Sequence, residues 1–263
     1  MNLSLLTLAT LACGLLFTPS PTVAQADTAQ ADTGQADTGQ ADAAEQSPTE
    51  IPAELTEHQR EMLRLRIELI MEKDQQFRSM LSYGTTDLDE IARIDALSME
   101  QMMAAMADDT RQLDPAIRDL LVQLQQRNDT ENQEAFEAIV REFGYPSAER
   151  LDMKSVGLFA VLLHPPVELD EIESHLARMS DLLLPEVRAG RMEARLYATF
   201  VDNMLAKILR RPQLYGTNQQ FDPATNQVLP PRIEDLQKAN DARRAIGMPE
   251  LQAGEYRLAD ARK

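Results

Sequence analysis

From Leu55 onward, apolar residues recur at three- and four-residue intervals through most of the chain, a period that predicts helices rather than strands. Leu55, Met62, Leu63, Ile67, Ile70, Met71, Phe77, Met80 and Leu81 trace one long amphipathic helix between Pro52 and Gly84. A second is predicted from Asp87 through Ile91, Ile94 and Leu97 to Met106, where Met102, Met103 and Met106 read as adaptable core. Asp114-Pro115 pairs a capping acid with a proline at the first helical position, and Ile117, Leu120, Leu121 and Leu124 supply the face that follows. A fresh start is expected at Asp129 or Thr130, with Phe136, Ile139, Val140 and Phe143 leading to a left-handed stop at Gly144 before Tyr145-Pro146.

Residues 155–163 are nearly all apolar and predict a helix at the centre of the fold, broken by His164-Pro165-Pro166. Amphipathic spacing returns over 168–189 and 192–209, and two terminal helices are expected at 233–245 and 249–261. Strand alternation and Asn-Gly hairpin signals are missing from the sequence, so the predicted fold class is all-α. The expected architecture is an antiparallel helical bundle with mostly short connections and one long irregular loop near the C-terminus.

The N-terminal fifth of the chain follows other rules. Residues 3–17 form an apolar run too short for a transmembrane span, followed by a small-residue pattern around Ala24 and Ala26, so residues 1–26 read as a secretory signal although no Lys or Arg precedes the run. Cys13, the only cysteine, is a candidate lipid anchor, which would make the leader a lipoprotein signal. Residues 27–50 contain most of four near-identical pentads beginning at Gln25, rich in small and acidic residues, and cannot bury enough apolar surface to fold. The expected organisation is therefore a leader, an acidic tether and one domain over 51–263, exported to the periplasm or beyond, membrane-anchored if Cys13 is lipidated.

The net charge is −17, and once the six acids of the tether are set aside 37 acids face 26 bases over 51–263. That balance argues against nucleic acid as a partner. No phosphate loop, dinucleotide fingerprint, nucleophile elbow or His-Glu-x-x-His spacing occurs, so no cofactor and no metal site are expected. The strongest irregularity is the stretch Gln213-Leu214-Tyr215-Gly216-Thr217, followed by Pro230-Pro231, Glu234-Asp235 and Arg243-Arg244. There helical periodicity stops and polar chemistry concentrates.

The motif order Asp74-Gln75…Arg78, Asp129…Asn132, Gly144-Tyr145-Pro146, His164, Asp202, Gln213-Leu214-Tyr215-Gly216-Thr217-Asn218, Ile233-Glu234-Asp235 and Arg243-Arg244 resembles a bacterial domain family of unknown function, the one labelled DUF6624. The likeness covers about residues 60–80 and 127–256, with 84–126 reading as an insertion. Tyr145 stands where the family pattern has Trp, Leu163 where Gln precedes the His, Pro165 where Ala follows it, Asn203 where Arg follows the Asp, and Asn218 where a final Gln is usual. The resemblance implies positions and no reaction.

Two functional readings follow. In the first, Gln75, Arg78, His164, Gln213, Tyr215, Gly216, Thr217 and Arg243 line a polar pocket for a small polar ligand or a protein partner. In the second, a hydrolase-like centre uses His164 as general base, Asp202 as its orienting carboxylate and Arg243 against developing negative charge. A blander alternative makes the same groups a structural network. In it His164 favours a helix C-terminus, the inward one of Arg243 and Arg244 meets Asp202, Glu234 or Asp235, and Gly216 supplies a positive φ for a turn.

Overall fold

The computed structural model describes residues 51–106, 111–153, 157–166, 170–222, 225 and 227–259. The expected leader, Cys13 and the acidic tether lie outside the described residues. What is described is mostly helical, and among the described residues no helix is long and apolar enough to cross a membrane.

Helix α1 spans Glu57–Gln75 and opens with a capping box, in which Thr56 Oγ1 accepts from Gln59 N while Gln59 Oε1 accepts from Thr56 N. It stops short of the expected Gly84, and the chain restarts as α2, Arg78–Tyr83. The break has a visible cause. Three side-chain amides from helix α5, Pro115–Phe143, reach into the end of α1: Asn132 donates to Ile70 O at 3.1 Å, Asn128 to Lys73 O at 3.1 Å and Gln125 to Asp74 O at 3.2 Å. Carbonyls drawn sideways weaken the axial ladder at that end.

The second expected helix is likewise two. Helix α3 spans Leu88–Asp95 and α4 spans Met99–Met106, because Ser98 and Gln101 cap a new start through reciprocal bonds of 3.3 and 3.2 Å. With Tyr83 they enclose a small apolar cluster of Ile91, Ile94 and Met102, separate from the main core. The opposite error occurs in α5. The start expected at Asp129 or Thr130 does not exist, and 29 residues run unbroken from the Asp114 cap, since the Asp129 side chain faces α2 instead of capping.

Helix α6 is only Phe159–Leu163, its sequence neighbours 154–156 lying outside the described residues, yet Leu158, Ala160, Val161 and Leu162 are buried as its apolar run predicts. Helices α7, Ile172–Arg188, and α8, Ala194–Asn203, follow the expected spacing. The latter continues into a π-helical turn, Met204–Ile208. The main core joins Leu63, Ile67, Ile70, Phe136, Ile139, Leu162, Met179, Leu183, Phe200 and Met204, and Phe136 meets Tyr145 edge-on at 6.3 Å.

The C-terminal quarter departs most from expectation. Two short ladders replace pure loop: β1, Gln220–Asp222, pairs antiparallel with β2, Gln227–Leu229, and β3, Arg232–Ile233, pairs parallel with β4, Arg257–Leu258. Helix α9, Leu236–Ala245, forms behind its Asp235 cap. The second terminal helix does not, because the backbone after Pro249 is spent elsewhere. Leu251 N donates to Asn240 Oδ1, Arg257 N to Pro231 O and Ala259 N to Ile233 O. The chain is mainly helical with these small additions, where the periodicity predicted helix alone.

Candidate functional site

Buried polar side chains collect in distinct clusters, and the sequence-predicted site residues divide between two of them. The first forms where α1, α2, α5 and the end of α6 meet. Asp74, 1% exposed, accepts from Gln75 Nε2 at 2.5 Å and lies 2.9 Å from His164 Nδ1. Arg78 reaches Asp129 Oδ1 at 2.5 Å and, less closely, Asp74 Oδ1 at 3.4 Å. Gln125 Nε2 completes the set with a 2.8 Å bond to Asp129. Asp74 and Arg78 stand four residues apart across the break in α1–α2, and His164 is placed by the arrest of α6 before Pro165.

Burial alone would push the Asp74 carboxyl up, but the hydrogen bond and charge of His164, then Arg78 and Gln75, outweigh it and hold the group below its usual range. At Asp129 burial wins, and its carboxyl is pushed up despite Arg78 and Gln125. Because an Asp carboxylate can only accept, it fixes Nδ1 of His164 as the donor and leaves Nε2 with no protein partner among the described residues. Two further buried groups here lack a partner among those residues, the Nε–H of Arg78 and Oε1 of Gln125. Asp74, Asp129 and Gln125 were not among the expected site residues. The signal for Gln125 and Asp129 was the polar spacing Gln125, Asp129, Asn132 on one face of α5, which apolar periodicity passes over; Asp74 was visible only as a position of the Asp74-Gln75…Arg78 motif.

The second cluster is the loop. Leu214 N and Tyr215 N donate to Asp202 Oδ1 at 2.8 and 2.9 Å, and Thr217 donates through both N and Oγ1 to Oδ2 at 2.8 Å. Burial pushes the Asp202 carboxyl up against these four donors. Gln213 closes the same turn, giving Nε2 to Asn218 O at 2.6 Å and accepting Asn218 N at 2.9 Å. Gly216 has the expected positive φ of 67°, and a Cβ there would press on Leu251 at 3.0 Å. Of the adjacent arginines, one of which was expected inward, Arg243 is the buried one, but its partners are carbonyls, Tyr215 O at 2.7 Å and Pro249 O at 2.5 Å, rather than carboxylates. Arg244 points outward and pairs with Asp241 and Glu250.

These bonds separate the residues that sequence reasoning grouped together. Gln75, Arg78 and His164 meet; Gln213, Tyr215, Gly216, Thr217, Arg243 and Asp202 meet; among the described residues no hydrogen bond or ion pair joins the two sets. Asp202 is therefore not the carboxylate that orients His164. A surface groove of about 410 Å³ flanks the loop, with Leu205, Pro212 and Leu214 beside Arg211, Glu234, Asp235 and Lys238. Lys238 pairs with Glu234 at 3.0 Å, Arg211 with Glu173, and Asp235 caps α9, so the groove's charged groups are engaged within the protein, whereas the His164 cluster holds buried atoms without a partner among the described residues.

Two more ionic clusters brace the core. Glu186 takes Arg191 in a two-pronged pair at 2.7 Å and accepts Tyr145 N, which explains Gly144: a Cβ there would sit 2.7 Å from Arg191 Nε and 2.8 Å from Glu186 Oε2. On α7, His175 is buried beside Arg178, which pairs with Glu137 of α5. Burial, and then the Arg178 charge, depress the imidazole to about 4. Among the described residues no group of acids, His or Cys is placed to hold a metal ion.

Compared with protein-family models, curated proteins and solved structures, the chain finds no match.

Two outcomes follow. Asp202→Asn turns one oxygen into an NH₂ facing the Thr217 N–H donor, and should lower the unfolding free energy by about 1–3 kcal/mol in urea titrations. Since the native state refuses a proton at His175 that the unfolded chain accepts, stability should fall as pH drops from about 6.5 toward 4, by up to about 3 kcal/mol. His175→Gln should flatten that segment of the pH–stability curve.

Proposed function

We propose that this chain is an exported helical module, tethered through residues 27–50, that binds a small polar ligand at His164. The helices are read as an antiparallel bundle, and the likeness in motif order to the domain family of unknown function belongs to the same reading. The observation that carries it is the Asp74–His164 bond, which orients the imbalance of the ring: Nδ1 is held at 2.9 Å and Nε2 is left to act as an acceptor.

Charge narrows the ligand. Arg78 is already matched by two carboxylates, so it is a poor anion receptor. With a neutral imidazole the four ionisable groups sum to −1, and with an imidazolium to zero, so the cluster favours a neutral or cationic donor over an acid. The unpartnered Arg78 Nε–H and Gln125 Oε1 favour a molecule carrying both donor and acceptor, such as an amide or an alcohol. In this reading the loop around Tyr215 is a rigid wall and not a contact.

A second reading gains one observation. General-base catalysis needs an oriented imidazole, and Asp74 supplies the orienting carboxylate that Asp202 was expected to supply. Arg243, bound to two carbonyls, takes no part in it.

The test uses the His164 ring as reporter. Nitrogen-detected NMR of the neutral ring should show the Nδ1–H tautomer, and screening small amides, amines and alcohols should yield ligands that shift the Nε2 resonance. Asp74→Asn should weaken their binding about tenfold or more, equivalent to at least 1.4 kcal/mol. Ligands that bind without moving that resonance would sink the reading. A substrate consumed by the parent and not by His164→Gln would favour the enzyme.

A further inference from the structure

Helix α1 buries Leu63, Ile67, Ile70 and Asp74 along one line. At about 100° per residue, Met62, Leu65 and Leu69 fall within a sector of roughly 60°, centred about 140° from that line. These three side chains are 40%, 59% and 55% exposed. Large apolar groups aligned on the outer face of an otherwise charged helix form a narrow seam, unlike the scattered single residues that every surface carries.

Their spacing is that of alternating seam positions in a heptad, with Met62 and Leu69 equivalent and Leu65 between them. The flanks carry opposite charges. Glu61 and Glu68 border the seam on one side, Arg66 and Lys73 on the other, and each acid precedes a base by five residues. In a parallel two-stranded pair, the flanking position of one helix meets the position five residues later on its partner. Glu61 of one copy then faces Arg66 of the other, Glu68 faces Lys73, and twofold symmetry makes each contact twice. An antiparallel pair would set acid against acid and base against base.

In the single chain, Lys73 pairs with Glu131 at 2.6 Å and Arg66 with Glu142 at 3.7 Å. Both pairs are partly exposed and therefore exchangeable at little cost. Between α1 and α5, beside Leu69, Arg66 and Lys73 also border a hollow of about 140 Å³, on the flank where a second copy's Glu68 would arrive.

We propose that α1 is a homodimer surface, on which two copies of this chain pair in parallel through Met62, Leu65 and Leu69, with register set by the Glu61–Arg66 and Glu68–Lys73 contacts. The seam is short, so the association is weak and concentration-dependent.

Sedimentation equilibrium of the full chain over roughly 1–300 µM, a range suited to weak self-association, should show the average mass rising from that of one chain toward that of two. The Leu65→Gln/Leu69→Gln double variant should stay at one chain with unchanged helical circular dichroism. Glu61→Lys/Glu68→Lys alone and Arg66→Glu/Lys73→Glu alone should each self-associate about tenfold more weakly, through like charges facing each other. Mixed together, they should recover a heterodimer at least as tight as the parent. A mass that never leaves one chain, or a dimer indifferent to the leucine replacements, would overturn the proposal. Charge variants that pair as tightly alone as when mixed would overturn the parallel register.

Discussion

The buried amides of α5 are the constraint on which the rest of this structure depends. Gln125, Asn128, Asn132 and Gln133 occupy a helix face that an ordinary core would fill with leucine, and each has to find a partner out of reach of bulk water. Three of them find it in the carbonyls of Ile70, Lys73 and Asp74. That choice fixes the axial register of α1 against α5 to within one hydrogen bond. It ends α1 where it does, and it brings Asp74 level with Asp129 so that a single guanidinium spans both. The His164 site is thus built on a polar stretch of these buried faces, and the apolar residues further along the same faces, Leu63, Ile67, Phe136 and Ile139 among them, supply the bulk of the driving force.

A second constraint, independent of the first, governs the C-terminal quarter. Three backbone N–H groups and one hydroxyl converge on Asp202, and an arginine holds the far side of the same turn through two carbonyls. The loop keeps its shape because its donors and acceptors are matched internally, with only a small apolar cluster of Ile233, Ala239 and Leu251 beside it. Its many polar side chains look like a binding surface in the sequence and act as fasteners in the fold.

What the sequence disclosed follows from which forces act locally. Apolar period placed α7, α8 and the buried run before His164, since burial of one face leaves a direct imprint on spacing. It failed at the α1–α2 break and in the chain after Pro249, where backbone groups are captured by side chains or strands distant in sequence. It also broke α5 at Asp129, because an acid before a helical run reads as a cap unless its partner, 51 residues away, is known. For the site, Gln75, Arg78 and His164 do meet, around Asp74, which is visible in the sequence only as a motif position; Gln125 and Asp129 belong to a polar stripe of α5 that hydrophobic patterning ignores. Convergence of two separate polar sets into one pocket was a guess about distance, which spacing along a chain does not contain.

The Asp202 arrangement has a kinetic meaning as well as a structural one. The amide protons of Leu214, Tyr215 and Thr217 share one acceptor group, so none of the three is released by fraying one residue at a time. Exchange with solvent requires the carboxylate to let go of the turn as a whole, which makes the loop a single cooperative opening unit. Its residence in the closed state depends on the Asp202 side chain of the helix beneath it, with Arg243 and Gln213 holding the rest of the same turn.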